Sequence, residues 1–546
     1  MSDDAAKRPR AERPAGNAAL RWSVYWLLIV SSAGAMTARV TQVRSASLRD
    51  PSPFLSANDR SRWCTIRALV EEGTYAIDNV TFKPNGTRDR RWHTIDMVKH
   101  GSSEGGEHYY SSKPTLLPTL LAGEYWLVRQ ITGATLAKQP FYVARLLLVL
   151  TNVAPLVLAL WIFAKLVERF GTSDWGRLFV MSAAAFGTFV TTFSITLNNH
   201  VPAVLCVIFT LAAAWPICRG DDARWWRFIA AGFFAAFTAA NELPALSFFA
   251  LVACALLWKA PLRTLVGFVP AAGVVAIAAF GTNFIAHGSW KTPYAHRKDG
   301  PVVATIEPAA AAELDRKTVP ASLVSKLRGQ GMAVSDSAKI EQRTQGQRWS
   351  LWDETTGTRL ALEETHADAA QSEIEVREWD NWYDYEGTYW KDENLTGVDR
   401  GESSRARYAF HVLIGHHGIF SLTPIWLLSI GGLVFSLRSR DRTQQAFAAA
   451  VILLTVVVLA FYLSRPLIDR NYGGVTSGLR WMFWFTPLWL LAMLPVLDRL
   501  ANNRLAQAVA LALLAISVFS TNYAAMNPWS HPWIFDYWQQ LGWIAY

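Results

Sequence analysis

Charge is what this sequence is short of. Of its 546 residues only 17% are Asp, Glu, Lys or Arg, against about a quarter in an ordinary soluble domain. Cysteine is scarce as well. Cys64, Cys206, Cys218 and Cys254 show no CxxC spacing, and three of them fall in apolar runs, so neither a disulfide framework nor a zinc site is indicated. No internal repeat or low-complexity tract is present, so an inverted-repeat transporter is not suggested. The net charge of +9 suits an anionic lipid surface and calls for no nucleic acid.

Apolar sequence is what the chain has instead. Hydrophobic residues make up 51%, mean hydropathy is +0.15, and runs near the ~20 residues needed to span a bilayer recur. Many of the 25 Trp residues lie at the ends of such runs, as interfacial belts require. The fold class expected is an all-α polytopic membrane protein. Lys7, Arg8, Arg10, Arg13 and Arg21 precede the first span and place the N-terminus in the cytoplasm. Residues 1–20 read as a disordered basic tail, and the span at 21–36 as a retained anchor.

Further spans are expected at 141–164, 178–197, 201–217, 264–286, 418–437, 446–463, 481–497 and 505–522. Residues 226–257 are too long for one span, and Asn241-Glu242-Leu243-Pro244 interrupts them. Basic residues flank both ends, so two spans with an outer tip are expected there, making eleven. The polar stretches divide accordingly. An N-terminal membrane module, 21–286, carries a first outer loop at 40–139, in which 114–132 is an amphipathic interfacial stretch. A small extracytoplasmic domain, 287–417, is inserted between spans 7 and 8. A C-terminal membrane module, 418–522, leads to an aromatic outer tail at 523–546.

The first outer loop holds the densest chemistry. Asp59-Arg60-Ser61-Arg62-Trp63 opens an amphipathic run that ends in Gly73-Thr74-Tyr75, and Tyr109-Tyr110-Ser111-Ser112-Lys113-Pro114 closes the segment. An acid with arginines and a lysine at a membrane surface suits a charged, lipid-linked substrate. On residue pattern alone, Asp59 and Arg62 at i and i+3 also describe a plain helix-surface ion pair.

This order of motifs resembles the GT-C membrane glycosyltransferases, in the branch of the protein O-mannosyltransferases and lipid A aminoarabinose transferases. Asp59, Arg62 and Trp63 fall on that family's Asp, Arg and Tyr. Gly73-Thr74-Tyr75 falls on its turn, Lys113-Pro114 on its Lys-Pro, Tyr125-Trp126 near its aromatic pair, and Arg145 on an Arg that opens span 2. The match covers roughly residues 20–260. It departs at Arg60 and Thr115, at Asn198-Asn199-His200 where an acid is usual, and at Glu242-Leu243-Pro244 where Lys-Gly-Pro is usual.

The resemblance implies transfer of a hexosyl or pentosyl group from a polyprenyl-phosphate donor to a hydroxyl of a glycan, lipid or protein. It implies a bacterial inner (plasma) membrane, with the site facing the periplasm or exterior. Asp59 would be the general base. Arg62 and Lys113, with Arg60, would hold the donor phosphate, and Trp63, Tyr110, Asn199, His200, Glu242 and Tyr472 would line the site. A second cluster, Arg465, Arg470 and Arg480, sits in an outer loop, where Lys and Arg are normally sparse. A bound anion explains them, approached by backbone at Tyr472-Gly473-Gly474; so does pairing with Asp469.

No cofactor is required by this reading. His200, His416 and His417, with Asp59 or Glu242, offer donors for a divalent metal; scattered histidines serve more often as interfacial hydrogen-bonders. The aromatic-acidic stretch Trp379 to Tyr385, continuing to Trp390, either stacks on sugar rings or packs within the outer domain. Two rival functions share the same features: a transporter or flippase for a lipid-linked saccharide, and a non-catalytic scaffold. A transporter buries ionisable groups at mid-membrane, and these spans are nearly free of them.

Overall fold

The computed structural model describes residues 15–47, 49–101, 106–344, 347–366 and 372–546. Most of the expected basic tail lies outside them. The first helix, Ala15–Gln42, begins before the expected edge at 21, because 15–20 contain good helix formers and no breaker after Gly16. The chain forms two compact units, one of residues 1–59, 127–277 and 396–546, the other of 60–126 and 278–395. These boundaries cut the first outer loop at two points and place its middle, 60–126, in one unit with most of the inserted region.

The first unit is helical. Among the described residues eight helices are long and apolar enough to cross a membrane: Asn17–Gln42, Pro140–Phe170, Asp174–Phe193, His200–Arg219, Pro261–His287, Arg442–Leu463, Arg480–Leu500 and Arg504–Tyr523. Three shorter helices, Trp225–Asn241, Leu246–Lys259 and Trp426–Leu437, fall where the other expected spans lie. The break between the first two comes at Glu242, whose extended backbone leads into Pro244. Proline lacks the N–H that a continuing helix needs.

Helix ends carry caps and ion pairs. Ser173, Asp441 and Asn503 accept hydrogen bonds from the first turns of the helices they precede, filling orphan donors. Arg21 bonds Glu168 and Asp174, each at 2.6 Å. Asp498 accepts from the backbone of Thr172 and Ser173. Arg219 pairs with Asp441 at 2.7 Å, and Arg263 donates to the Ala223 carbonyl at 2.5 Å. Helix ends that were expected in the cytoplasm therefore meet one another. Gly432 allows Trp426–Leu437 to lie directly on Thr486–Leu500, since a Cβ there would stand 1.8 Å from the Ala492 carbonyl oxygen. Such small-residue seams are how membrane helices approach closely.

The second unit contains the β-structure of the molecule, which the sequence reading did not assign. A two-stranded ribbon pairs β1 (Met97–Gly101) with β2 (Glu107–Ser111). A five-stranded antiparallel sheet has the order β3-β7-β6-β5-β4, from β3 (Val302–Ile306), β4 (Lys339–Thr344), β5 (Arg348–Asp353), β6 (Thr358–His366) and β7 (Ser372–Glu378). Ile374 and Val376 alternate with charged neighbours along β7 and point into a core with Ile306, Leu360, Leu362 and Trp349. Leu314, Leu323 and Leu327 from short helices cover that face, the one-sided burial usual for an antiparallel sheet.

Candidate active site

In the first unit, five of the residues named from sequence converge with two that were not. Asp59 is in the first turn of the helix Ala57–Glu71 and is 1% exposed. Its backbone N–H donates to Ser56 Oγ at 3.1 Å while its Oδ1 accepts from the Ser56 N–H at 3.0 Å, a capping box closed by aspartate. Oδ2 accepts from the Leu55 N–H at 3.0 Å and from the Thr196 hydroxyl at 2.7 Å.

Thr196 stands in the turn between the helices Phe189–Phe193 and His200–Arg219. Two asparagine amides hold that turn. Asn152 donates to the carbonyls of Ser194 and Thr196, each at 3.0 Å, and Asn198 donates to those of Phe193 and Thr196, each at 2.8 Å. The Thr196 hydroxyl also accepts from Trp529 Nε1 at 3.1 Å. Over the other side of that indole lies Arg480, its guanidinium carbon 5.2 Å from the ring centroid, a cation–π distance.

Arg480 is tightly specified. Its Nη2 donates to the Gly473 carbonyl at 2.7 Å, and its Nη1 lies 2.7 Å from His200 Nε2. A guanidinium only donates, so His200 Nε2 carries the lone pair and its proton sits on Nδ1, hydrogen-bonded to Glu242. The Asn199 amide donates to Glu242 Oε1 and to the Asn241 carbonyl, each at 2.8 Å. Gly473 has φ +91°, and a Cβ there would stand 2.9 Å from Arg480 Nε, so the residue type at 473 admits the arginine. A continuous path thus runs from a carboxylate through a hydroxyl and an indole to a guanidinium backed by His–Glu. Beside it lies a small pocket, about 30 Å³, lined by Phe189, Leu422, Trp426, Leu479, Phe483 and Trp489, among others. Phe483 is 5.1 Å from the Phe193 ring, and Phe193 in turn is 5.4 Å from Trp529.

The neighbouring arginines are engaged elsewhere. Arg465 pairs with Asp469 at 2.5 Å, and Arg470 donates to the Ser403 carbonyl at 2.9 Å. Tyr472 is fully buried and donates to Glu402 at 3.0 Å. His416 and His417 lie in this second group, Nδ1 to Nδ1 at 2.5 Å, while His200 and Glu242 bind each other. His200 with Glu242 and His416 with His417 therefore form two separate pairs, and Arg480 beside His200 brings a positive charge where a cation would have to bind.

The second unit gathers the remaining cations. Lys113, 5% exposed, pairs with Asp96 at 3.0 Å and donates to the Tyr294 hydroxyl at 3.3 Å. Burial pushes the Tyr294 hydroxyl up, but Lys113, with Arg62 and Arg297, outweighs it and brings the group below its ordinary value. Arg60 donates to the His93 carbonyl at 3.0 Å. Trp63 is fully buried, and Tyr110 stacks on His100 with centroids 4.3 Å apart. The aromatic-acidic stretch is packed: Arg359 sits 3.9 Å over Trp379, His296 stacks on Trp382 at 3.6 Å, and Trp390 Nε1 donates to the Ile95 carbonyl.

Sequence reasoning passed over Thr196, Trp529, Asp96 and Tyr294. Trp529 is one of 25 tryptophans and Thr196 carries no charge, so neither stood out from its surroundings. No protein-family model matches the chain, and no curated protein sequence matches it. Among solved structures it is similar to the apo oligosaccharyltransferase of Archaeoglobus fulgidus, at 12% identity and TM-score 0.41, covering 95% of this chain and 57% of that one. It is also similar to the S. cerevisiae protein O-mannosyltransferase Pmt1-Pmt2 complex bound to the sugar donor, at 12% identity and TM-score 0.41, covering 98% of this chain and 94% of that one. The chain thus spans less than two thirds of the length of the first. A likeness at this level leaves the chemistry to the side chains themselves.

Proposed function

We propose that the protein is an integral membrane glycosyltransferase that moves a sugar from a polyprenyl-phosphate donor to an acceptor hydroxyl on the extracytoplasmic face. The observation that carries this reading is the path from Asp59 through Thr196 and Trp529 to Arg480. The acceptor hydroxyl takes the place of the Thr196 hydroxyl at Asp59 Oδ2 and attacks the anomeric carbon. Its proton passes to Asp59 as the bond from that carbon to the phosphate oxygen breaks. The departing polyprenyl phosphate keeps the electron pair, and its charge is met by Arg480, which His200 and Glu242 hold in orientation. The indole of Trp529 offers a face for a pyranose ring, and the pocket at Phe189 and Trp426 offers apolar surface for the prenyl chain.

The test is incubation of the detergent-purified protein with a panel of polyprenyl-phosphate sugars and acceptors, following glycosylated product and released polyprenyl phosphate. Turnover is expected in the wild type and lost in Asp59→Asn, with Arg480→Ala strongly reduced. No turnover on any donor, or unchanged turnover in both variants, refutes the assignment.

A further inference from the structure

Within residues 402–417 lie three buried side chains that the transfer reaction does not use. Glu402, His411 and His416 are 3%, 5% and 0% exposed, and one donor atom from each lies within 4.8 Å of the others. We propose that Glu402, His411 and His416 bind one divalent transition-metal ion, with zinc the best match, as a structural centre of the first unit.

The first argument is an orphaned atom. His411 Nδ1 is buried and has no hydrogen-bond partner, although a buried imidazole nitrogen is normally satisfied. The second is the setting of the carboxylate: Tyr472 and Tyr546 both donate to Glu402 Oε1, and the Tyr546 oxygen lies 2.9 Å from His416 Nε2, so Glu402 and His416 are tied into one buried cluster.

The donor set agrees. Two imidazoles and a carboxylate bind zinc with ligand bonds of about 2.0–2.2 Å and leave a fourth position for water. The two tyrosine hydroxyls on Glu402 are outer partners that fix a ligand's orientation. Tyr472 holds its place with φ +60°, a conformation that costs a non-glycine residue of order 1 kcal/mol or more. Arg407 lies 3.3 Å from Glu402 Oε2 but is half exposed, so it can swing away. The His411 and His416 rings are stacked with centroids 4.0 Å apart, which keeps the two imidazoles within reach of one ion.

Full-length protein purified in detergent without chelator is analysed for metal by mass spectrometry. It is then stripped, and reloaded with Zn²⁺ or Co²⁺ alone. The expected results are one zinc per chain, tetrahedral Co²⁺ absorption bands, and a fall in Tm on stripping that zinc restores. His411→Ala and Glu402→Gln should bind zinc at least about tenfold more weakly, whereas His531→Asn, whose ring stacks on Phe535, should bind as the wild type does. Stripped wild type that takes up neither ion, or equal affinity in His411→Ala, overturns the proposal. Because the readouts are metal content, spectrum and Tm, they stand or fall apart from sugar transfer.

Discussion

Asp59 closes the cap of its own helix and also holds the Thr196 hydroxyl, so one substitution there disturbs two things. Asp59→Ala is expected to reduce transfer by about 10²–10⁴-fold as a lost base and to lower stability by about 1 kcal/mol as a lost cap. Thr196→Val separates the two, because it leaves the capping box whole. Its turnover should stay within about tenfold of wild type, since the incoming hydroxyl replaces the one removed. A kinetic assay beside a melting curve reads both effects. His100 gives a pH prediction. Burial, followed by the charges of His296 and His108, pulls it down to about 4, while the unfolded chain binds a proton near 6.5. The unfolded state therefore holds more protons between those values, and the stability His100 contributes, about 3 kcal/mol, is present above pH 6.5 and lost as pH falls toward 4. In melts at pH 7.5 and 4.5, His100→Asn should show a smaller drop than wild type.

At the scale of elements, backbone conformation sets the guanidinium. Gly473→Ala places a methyl group against Arg480 Nε at φ +91°. It should cost about tenfold or more in turnover with a modest change in Tm, measured as above. Gly432→Ala sets a methyl group 1.8 Å from the Ala492 carbonyl, so Trp426–Leu437 must shift. A loss of about 1–3 kcal/mol is expected in thermal unfolding, with no comparable requirement at exposed Gly34. Elements were unevenly legible. Apolar runs gave the long helices because their signal is local and strong. The Asn241–Pro244 interruption was readable because proline and a charge together break an apolar run. The sheet was not, because β5 and β6 are held by pairing with each other and by Leu314, Leu323 and Leu327, contacts no short window contains. Among the loop arginines, Arg465 was separable in sequence by Asp469 four residues on; Arg480 could be singled out only by what it touches.

Across the whole molecule, the meeting of Arg219 with Asp441 and of Arg263 with Ala223 ties distant parts of the chain to one end of the first unit, where its arginines collect. By the positive-inside rule that end is expected to face the cytoplasm. Single cysteines at 221 and 440, in a version lacking native cysteines, should react with an impermeant maleimide only after permeabilisation. A cysteine at Val475, 43% exposed, should react in intact cells. Labelling of all three from outside would refute the orientation.

The paired helices Trp225–Asn241 and Leu246–Lys259 are 17 and 14 residues long, roughly 25 and 21 Å of rod at about 1.5 Å per residue. A fluid bilayer presents about 30 Å of hydrocarbon, so lipid beside this hairpin must pinch inward, or water must follow the hairpin's bend down. Either way Glu242 and the groups bonded to it stand below the level of the surrounding headgroups. A lipid-borne phosphate would have to sink to reach them, and on the proposed function membrane thickness becomes a variable of the transfer.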